Sequence, residues 1–161
     1  MITIRSATAD DLPATAVLAA KLVRFHHALD RARFLAPTDR LEQGYERFLA
    51  TRVDADDAVV MVADDGGAIV GYAYGALEER DWNLLLEAHG AVHDVWVEER
   101  ARRGGVARRL VEAVCVRLEE LGAPRVLLAT ATGNEGAQRL FAAMGFRSTM
   151  IEMTREKKSD A

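Results

Sequence analysis

The stretch Val95-Trp96-Val97-Glu98-Glu99-Arg100-Ala101-Arg102-Arg103-Gly104-Gly105-Val106-Ala107-Arg108 carries most of the chemical promise of this chain. It runs from an apolar strand pattern, through a glycine turn, into a helical pattern. The first turn of a helix presents backbone N–H groups with no internal acceptor, and the helix dipole adds partial positive charge there. Small residues in the turn let a phosphate approach the backbone closely. Arg102, Arg103 and Arg108 add positive charge around the same point. The pattern predicts an anion site for a phosphorylated ligand. It equally suits a plain glycine turn flanked by solvated arginines. The Gly-x-Gly-x-x-Gly spacing of a dinucleotide fold and the Gly-Lys-Ser/Thr of a Walker loop are both absent.

The second candidate is His93. Strict strand alternation puts Ala91, His93, Val95 and Val97 on one face and Asp94 on the other. A histidine, with an unperturbed pKa of about 6.5, suits general-base work, and a partly buried structural histidine fits the position as well. His26 and His27 are adjacent and cannot chelate one metal from one helix face, and no metal site is expected. Cys115 lies mid-helix beside apolar residues and reads as core. Trp82 and His89 are candidates for lining an acceptor site. The acids around them, Glu78, Glu79, Asp81 and Glu87, could favour a cationic amine, although a solvated charged loop explains them too.

These residues need a frame to position them. Ile2-Thr3-Ile4-Arg5 alternates as a strand. Thr8, Asp10, Asp11 and Pro13 open a helix that continues through Val17, Leu18, Leu22, Phe25 and Leu29. Pro37-Thr38-Asp39 caps a second helix carrying Leu41, Tyr45, Phe48 and Leu49. Ala58 to Ala63 is a strand, Asp64-Asp65-Gly66-Gly67 a hairpin turn, and Ala68 to Leu77 the returning strand. Glu78 to Gly90 is a loop or short helix, and Ala91 to Val97 the third strand of the meander. Val106 to Leu121 has helical spacing and Gly122 closes it. Arg125 to Ala129 is a strand, Asn134 to Phe141 a helix stopped by Gly145, and Phe146 to Thr154 a last strand. The order β, α, α, three antiparallel strands, α, β, α, β predicts an α/β layered domain with a mixed, mostly antiparallel sheet.

Composition sets the wider bounds. The 161 residues, half of them hydrophobic and 29% charged, suit one soluble domain, residues 1–161, with a flexible polar tail over 155–161. A net charge of −4 gives no general attraction to nucleic acid or anionic membrane. The single cysteine permits no internal disulfide. With no apolar leader or membrane span, a cytoplasmic protein is expected.

The glycine-turn segment resembles the acetyl-CoA motif of GNAT N-acetyltransferases, Arg/Gln-x-x-Gly-x-Gly/Ala, at Arg102, Gly105 and Ala107. Asn134-Glu135-Gly136-Ala137-Gln138-Arg139-Leu140-Phe141-Ala142-Ala143-Met144-Gly145-Phe146 resembles that superfamily's second motif. The element order from Met1 to Phe146 agrees as well. The resemblance implies two central strands that splay in a V and hold the pantetheine arm. Val95, Trp96 and Val97 would then offer main-chain groups to acetyl-CoA. The amides from Arg103 through Gly104, Gly105, Val106 and Ala107 to Arg108 would cradle its pyrophosphate, with Asn134 on the far side of the V. Asn134 also makes a good helix N-cap. The implied reaction is direct acetyl transfer from acetyl-CoA, as co-substrate, to a primary amine, with His93 the first candidate base and Asp94 the second. His93-Asp94-Val95-Trp96-Val97 looks like the corresponding strand of small-amine acetyltransferases. A small-molecule amine is therefore the expected acceptor. A protein N-terminus or lysine is the alternative, and a non-catalytic acyl-CoA sensor the alternative of another class.

The sequence departs from the family pattern in two places. Phe141 stands where a tyrosine commonly protonates the leaving thiolate, with Tyr72 and Tyr74 as possible substitutes. The short C-terminus leaves room for one strand where many members have two, so an exposed sheet edge could pair two copies as a homodimer.

Overall fold

Alternating and continuous apolar runs pair as an antiparallel meander of β1 (Thr3–Ser6), β2 (Ala58–Asp65), β3 (Ala68–Glu78) and β4 (His89–Val97). A short strand β5 (Val126–Leu128) joins β4 in parallel, giving the order β1-β2-β3-β4-β5. The computed structural model describes residues 1–158, so the last three positions of the expected tail, 159–161, lie outside the described residues. At the β2–β3 hairpin, Gly66 and Gly67 take φ of 64° and 97°, and the Gly67 amide donates to Asp64 Oδ1 at 2.6 Å. This positive φ is what glycine supplies cheaply.

Helix α3 (Val106–Glu120) packs on one face of the sheet, and α1 (Leu12–Leu29) with α2 (Leu41–Ala50) on the other. Strand alternation sends Met61 and Ala63 of β2 toward Val106, Leu110, Val114 and Leu118 of α3, and a register shift that leaves Val70 as an extra residue in β3 puts it on the same face as Ala73. The intervening Val60, Val62, Tyr72 and Tyr74 pack toward Leu12, Leu18 and Leu49 of α1 and α2. Three glycines let α3 lie close to the sheet. The tightest is Gly75, where a Cβ would stand 2.6 Å from Val114 Cγ1 and 2.7 Å from the Ala91 carbonyl oxygen. Helix α3 ends as expected: Gly122 takes φ 99°, its amide donates to Glu119 O, and the Ala123 amide reaches back to Leu118 O.

Several local expectations are corrected. A 3-10 turn, Ala9–Asp11, precedes α1, and Asp11 is its anchor. Its carboxylate accepts from the Thr8 amide at 2.8 Å and the Thr8 hydroxyl at 3.0 Å, and pairs with Arg5 at 2.7 Å. Helix α2 begins without a side-chain cap; the Thr38 carbonyl, rather than its hydroxyl, accepts the Leu41 amide. Glu78 to Gly90 forms no helix. Strand β3 takes in Glu78, β4 begins at His89, and the excursion between them is pinched by an Asp81–Leu86 bridge. The expected strand from Phe146 to Thr154 is not formed. After α4 (Glu135–Ala143) that segment runs as irregular, largely exposed chain, with Met150, Ile151 and Met153 in solvent. The sheet ends at β5, whose three residues offer little ladder to build on.

Candidate active site

Strand β4 pairs with β5 only from Gly90 to Val92, then runs on to Val97 with no strand beside it on that side among the described residues. This is the expected splay, and it opens at His93. At the same place the β3–β4 ladder shifts register, because Gly75 faces Val92 and Tyr74 faces Asp94, leaving His93 as an extra residue. Such a bulge bends the strand and re-aims side chains. The expected parity of His93 is thereby overturned. Val92, Val95 and Val97 pack on the α3 side. Asp94 pairs with Tyr74, Trp96 packs beside Tyr72, and the His93 ring stacks on Tyr74 at 5.4 Å, so all three belong to the α1/α2 side. His93 and Asp94 share one face, opposite to Val95.

They floor a cleft of about 580 Å³ whose other walls come from α2 and the loop before it. Tyr45, Phe48 and Tyr74 form its aromatic sides, with Leu35, Thr38, Arg40 and Leu41 toward the rim. Phe48 meets Tyr74 edge-on at 5.4 Å. His93 Nε2 lies 2.7 Å from Glu78 Oε1, an exposed contact that fixes the ring's orientation. The fully buried Tyr72 donates its hydroxyl to Asp94 Oδ2 at 3.1 Å. Desolvation pushes the Asp94 carboxyl above its usual range, against the opposing pull of that hydrogen bond and of His93 and His26 nearby. Burial likewise drives the Tyr45 phenol up to about 12, with Asp94 adding to the shift.

At the far end of β4, a 3-10 turn at Glu99–Ala101 leads into the glycine turn. Arg103 and Gly105 adopt left-handed φ of 67° and 72°. Successive N–H groups in such turns converge on a concavity that suits anions. Among the described residues, the amides from Arg103 to Arg108 donate to no protein acceptor, and a Cβ at Gly104 would meet nothing within 4 Å. This arrangement fits a pyrophosphate cradle. The Arg102 side chain does not serve it as expected: its Nε donates to Val97 O at 2.9 Å, and its guanidinium lies 5.0 Å over the Trp96 ring. Arg102 therefore ties the turn to the end of β4, leaving the charge to Arg103 and Arg108. Among the described residues the buried Trp96 Nε1 has no hydrogen-bond partner.

The second motif stands apart from this cluster. Asn134 caps α4, its Oδ1 accepting from the Ala137 amide at 3.2 Å. Phe141 meets Phe146 edge-on at 6.0 Å, and α4 buries no residue. Tyr72, committed to Asp94, is no free proton donor. Trp82 is exposed under Arg80, and His89 is buried at the start of β4, its Nδ1 2.9 Å from Glu87 O; neither lines the cleft. Sequence reasoning missed the roles of Glu78, Tyr45 and Phe48. The two polar residues between Val92 and Val95, opposite an isolated strand glycine, were the available signal for the bulge.

Among the described residues no helix is long and apolar enough to cross a membrane. The chain is 32% identical over 107 residues to the D-amino-acid N-acetyltransferase HPA3 of Saccharomyces cerevisiae, a match spanning 66% of this chain and 65% of that relative. Its fold is similar to that of the tetramutant BH1408 protein of Bacillus halodurans, with TM-score 0.78 and 24% identity, covering 96% of this chain and 99% of that one. It is also similar to that of aminoglycoside N-acetyltransferase AAC(6')-Iy in complex with CoA, with TM-score 0.78 and 18% identity, covering 99% and 96%. The sequence profile described as the acetyltransferase (GNAT) family matches residues 23–146, across the splayed strand, the glycine turn and α4, and the chain belongs to that family.

Proposed function

We propose that this protein is an N-acetyltransferase that moves the acetyl group of acetyl-CoA directly to the primary amine of a small molecule held in the α2–β4 cleft. One observation carries the reading: the bulge that brings His93 and Asp94 together lies where β4 parts from β5, with the amide-lined turn at the other end of the same strand. The volume of the cleft falls within the usual range for small-ligand pockets, which supports a small acceptor. The relative HPA3, named for acetylating D-amino acids, agrees with a small amine.

Acetyl-CoA, when bound, supplies an acetyl group activated as a thioester. The chain's own residues do the rest. The free amides of Arg103 to Arg108 hold the pyrophosphate, and the unpartnered edge of β4 from His93 to Val97 is available to the pantetheine. Asp94 and the aromatic faces of Tyr45 and Tyr74 draw the ammonium to the floor of the cleft. An ammonium is no nucleophile until it loses a proton. His93, oriented by Glu78, accepts that proton. Phe141 offers no acid to the departing thiolate, which leaves unassisted by that side chain. The open outer edge of β5 is where two copies would pair as a homodimer, and the protein works in the cytoplasm on soluble metabolites, without a metal.

The test is thiol release from acetyl-CoA over a panel of amines, with parent and His93→Gln compared across pH. The variant should lose about 10²–10⁴-fold in kcat/KM while binding CoA normally. A protein that binds CoA but acetylates no amine would be a sensor. A variant with the parent's full rate and pH profile would remove His93 from the mechanism.

A further inference from the structure

The cleft is electrically uneven along its length. Its floor holds Asp94 and His93, and its rim holds Arg40. Arg40 lines the cleft without a partner. Among the described residues no carboxylate lies within ion-pairing distance of it, and its guanidinium makes no hydrogen bond. Arg24 pairs with Glu42 at 2.8 Å, Arg33 with Glu152, and Arg52 with Asp57 at 2.8 Å, while Arg31 and Arg47, which have no ion-pair partner among the described residues, do not line the cleft. Glu42, the acid two residues along, is thus already taken. Arg40 immediately precedes α2, and Phe48, which packs on Tyr74 above the floor, stands about 12 Å further along that helix. The space between them is walled by Leu41, Gly44 and Tyr45.

We infer that the acceptor is an amino acid or a close analogue, with its amine on Asp94 and His93, its carboxylate read by Arg40, and an apolar side chain against Tyr45 and Phe48. This rests on the acetyltransferase reading for the amine end of the cleft. A guanidinium offers a carboxylate two parallel N–H donors, which adds directional specificity to the charge attraction. The same cation works against alternatives. A polyamine or a multiply charged amino sugar would bring a second ammonium toward Arg40, and like charges in one cleft repel. Leu41 and the aromatic walls give a carboxylate-bearing ligand apolar surface to cover, so its body is apolar or aromatic rather than polar.

The experiment compares phenylalanine, in both enantiomers, with phenylalaninamide and with spermidine as acceptors, for the parent, Arg40→Lys and Arg40→Glu. The readout is the ratio of kcat/KM for phenylalanine to that for its amide. Comparing that ratio between variants cancels the different basicities of the two amines. Arg40→Glu should lower the ratio at least tenfold, Arg40→Lys should lower it less, and Arg40→Glu should raise the rate with spermidine. An equal ratio in parent and Arg40→Glu overturns the inference even though acetylation proceeds. If no acceptor is acetylated, the acetyltransferase reading fails separately, and calorimetric binding of phenylalanine and its amide decides the Arg40 question. Binding that favours the acid in the parent but not in Arg40→Glu supports the carboxylate site, and binding indifferent to the variant refutes it.

Discussion

Gly75 links the packing of the fold to the geometry of the cleft, and replacing it with alanine tests that link. An added Cβ would sit 2.6 Å from Val114 Cγ1, 2.7 Å from the Ala91 carbonyl oxygen and 3.2 Å from Leu118 Cδ1. Two of these distances are far inside van der Waals contact, and one is to backbone that cannot rotate away. Val114 and Leu118 are fully buried, so neither has free space to retreat into. Overpacking of this kind costs about 1–3 kcal/mol, and two simultaneous clashes put Gly75→Ala in the upper part of that range. At about 2–4 °C per kcal/mol for a chain of this size, the Tm should fall by roughly 4–12 °C. Relief requires β4 to move away from β3 at Ala91 and Val92, immediately before the bulge, so kcat/KM should fall even at temperatures where the variant is folded. CoA affinity should hold, because the cradle lies two turns of α3 away from Val114. Val114→Ala removes one of the two clashes at the cost of its own cavity. In the double mutant the two effects should couple by more than about 0.5 kcal/mol in the favourable direction. The assays are calorimetric melting and steady-state thiol release. A Gly75→Ala protein that melts with the parent and keeps its rate would show that α3 does not press the sheet here and does not hold the bulge in register.

Three further outcomes are expected. Gly104→Val should fold normally, since its Cβ faces open space and its φ is not left-handed, yet it should weaken CoA binding more than tenfold by calorimetry; Gly105, at φ 72°, would add backbone strain to the result. Phe141→Tyr should leave turnover equal or higher, because the ring is already accommodated beside Phe146, and a severe loss of rate in a folded variant would displace α4 from the thiol. Arg5 and the Thr8 groups hold the Asp11 carboxyl down at about 2, below its unfolded value near 4, so this contact contributes stability above pH 4 that is lost as pH falls toward 2. Arg5 is 35% exposed, and solvent screening reduces the contribution to about 1 kcal/mol; Arg5→Met should be less stable than the parent by that amount at pH 7 in urea titrations and equal to it near pH 2.

The sequence made legible whatever depends on short-range pattern. Asp64 to Gly67 reads as a hairpin because positive φ at two glycines has few other uses, and the apolar spacing from Val106 to Leu118 marks the face that meets the sheet. The amide-lined turn was legible for the same reason: its proposed role resides in backbone geometry that glycines announce. Two readings failed because they treated a pattern as uninterrupted. Assuming strict alternation across His93 placed it beside Val95, whereas the bulge moves it to the other face beside Asp94. The β-branched residues between Phe146 and Thr154 suit a strand, but a strand needs a neighbour, and β5 is too short to provide one. The cleft was least legible. Arg40, Tyr45 and Phe48 are far in sequence from Tyr74 and His93, and only the docking of α2 over β3 brings them together.

Strand β4 divides the labour by face. Val95 and Val97 turn their side chains into the α3 core, so what they can offer a cofactor is main-chain N–H and C=O along an edge left free by β5. His93 and Asp94 face the opposite way, into the α1/α2 cleft, so what they can offer an acceptor is their side chains. Without the extra residue, alternation would give the cleft either a histidine or an aspartate at this point, not both. With it, the proposed base and the proposed ammonium-binding carboxylate stand in sequence at the place where the strand leaves its neighbour. The bulge in turn depends on the opposite strand, because only a glycine at position 75 lets Val114 and Leu118 close over the irregularity. Substitutions on the α3 face of β4 should therefore be read out first as stability, and those on the cleft face first as acceptor turnover.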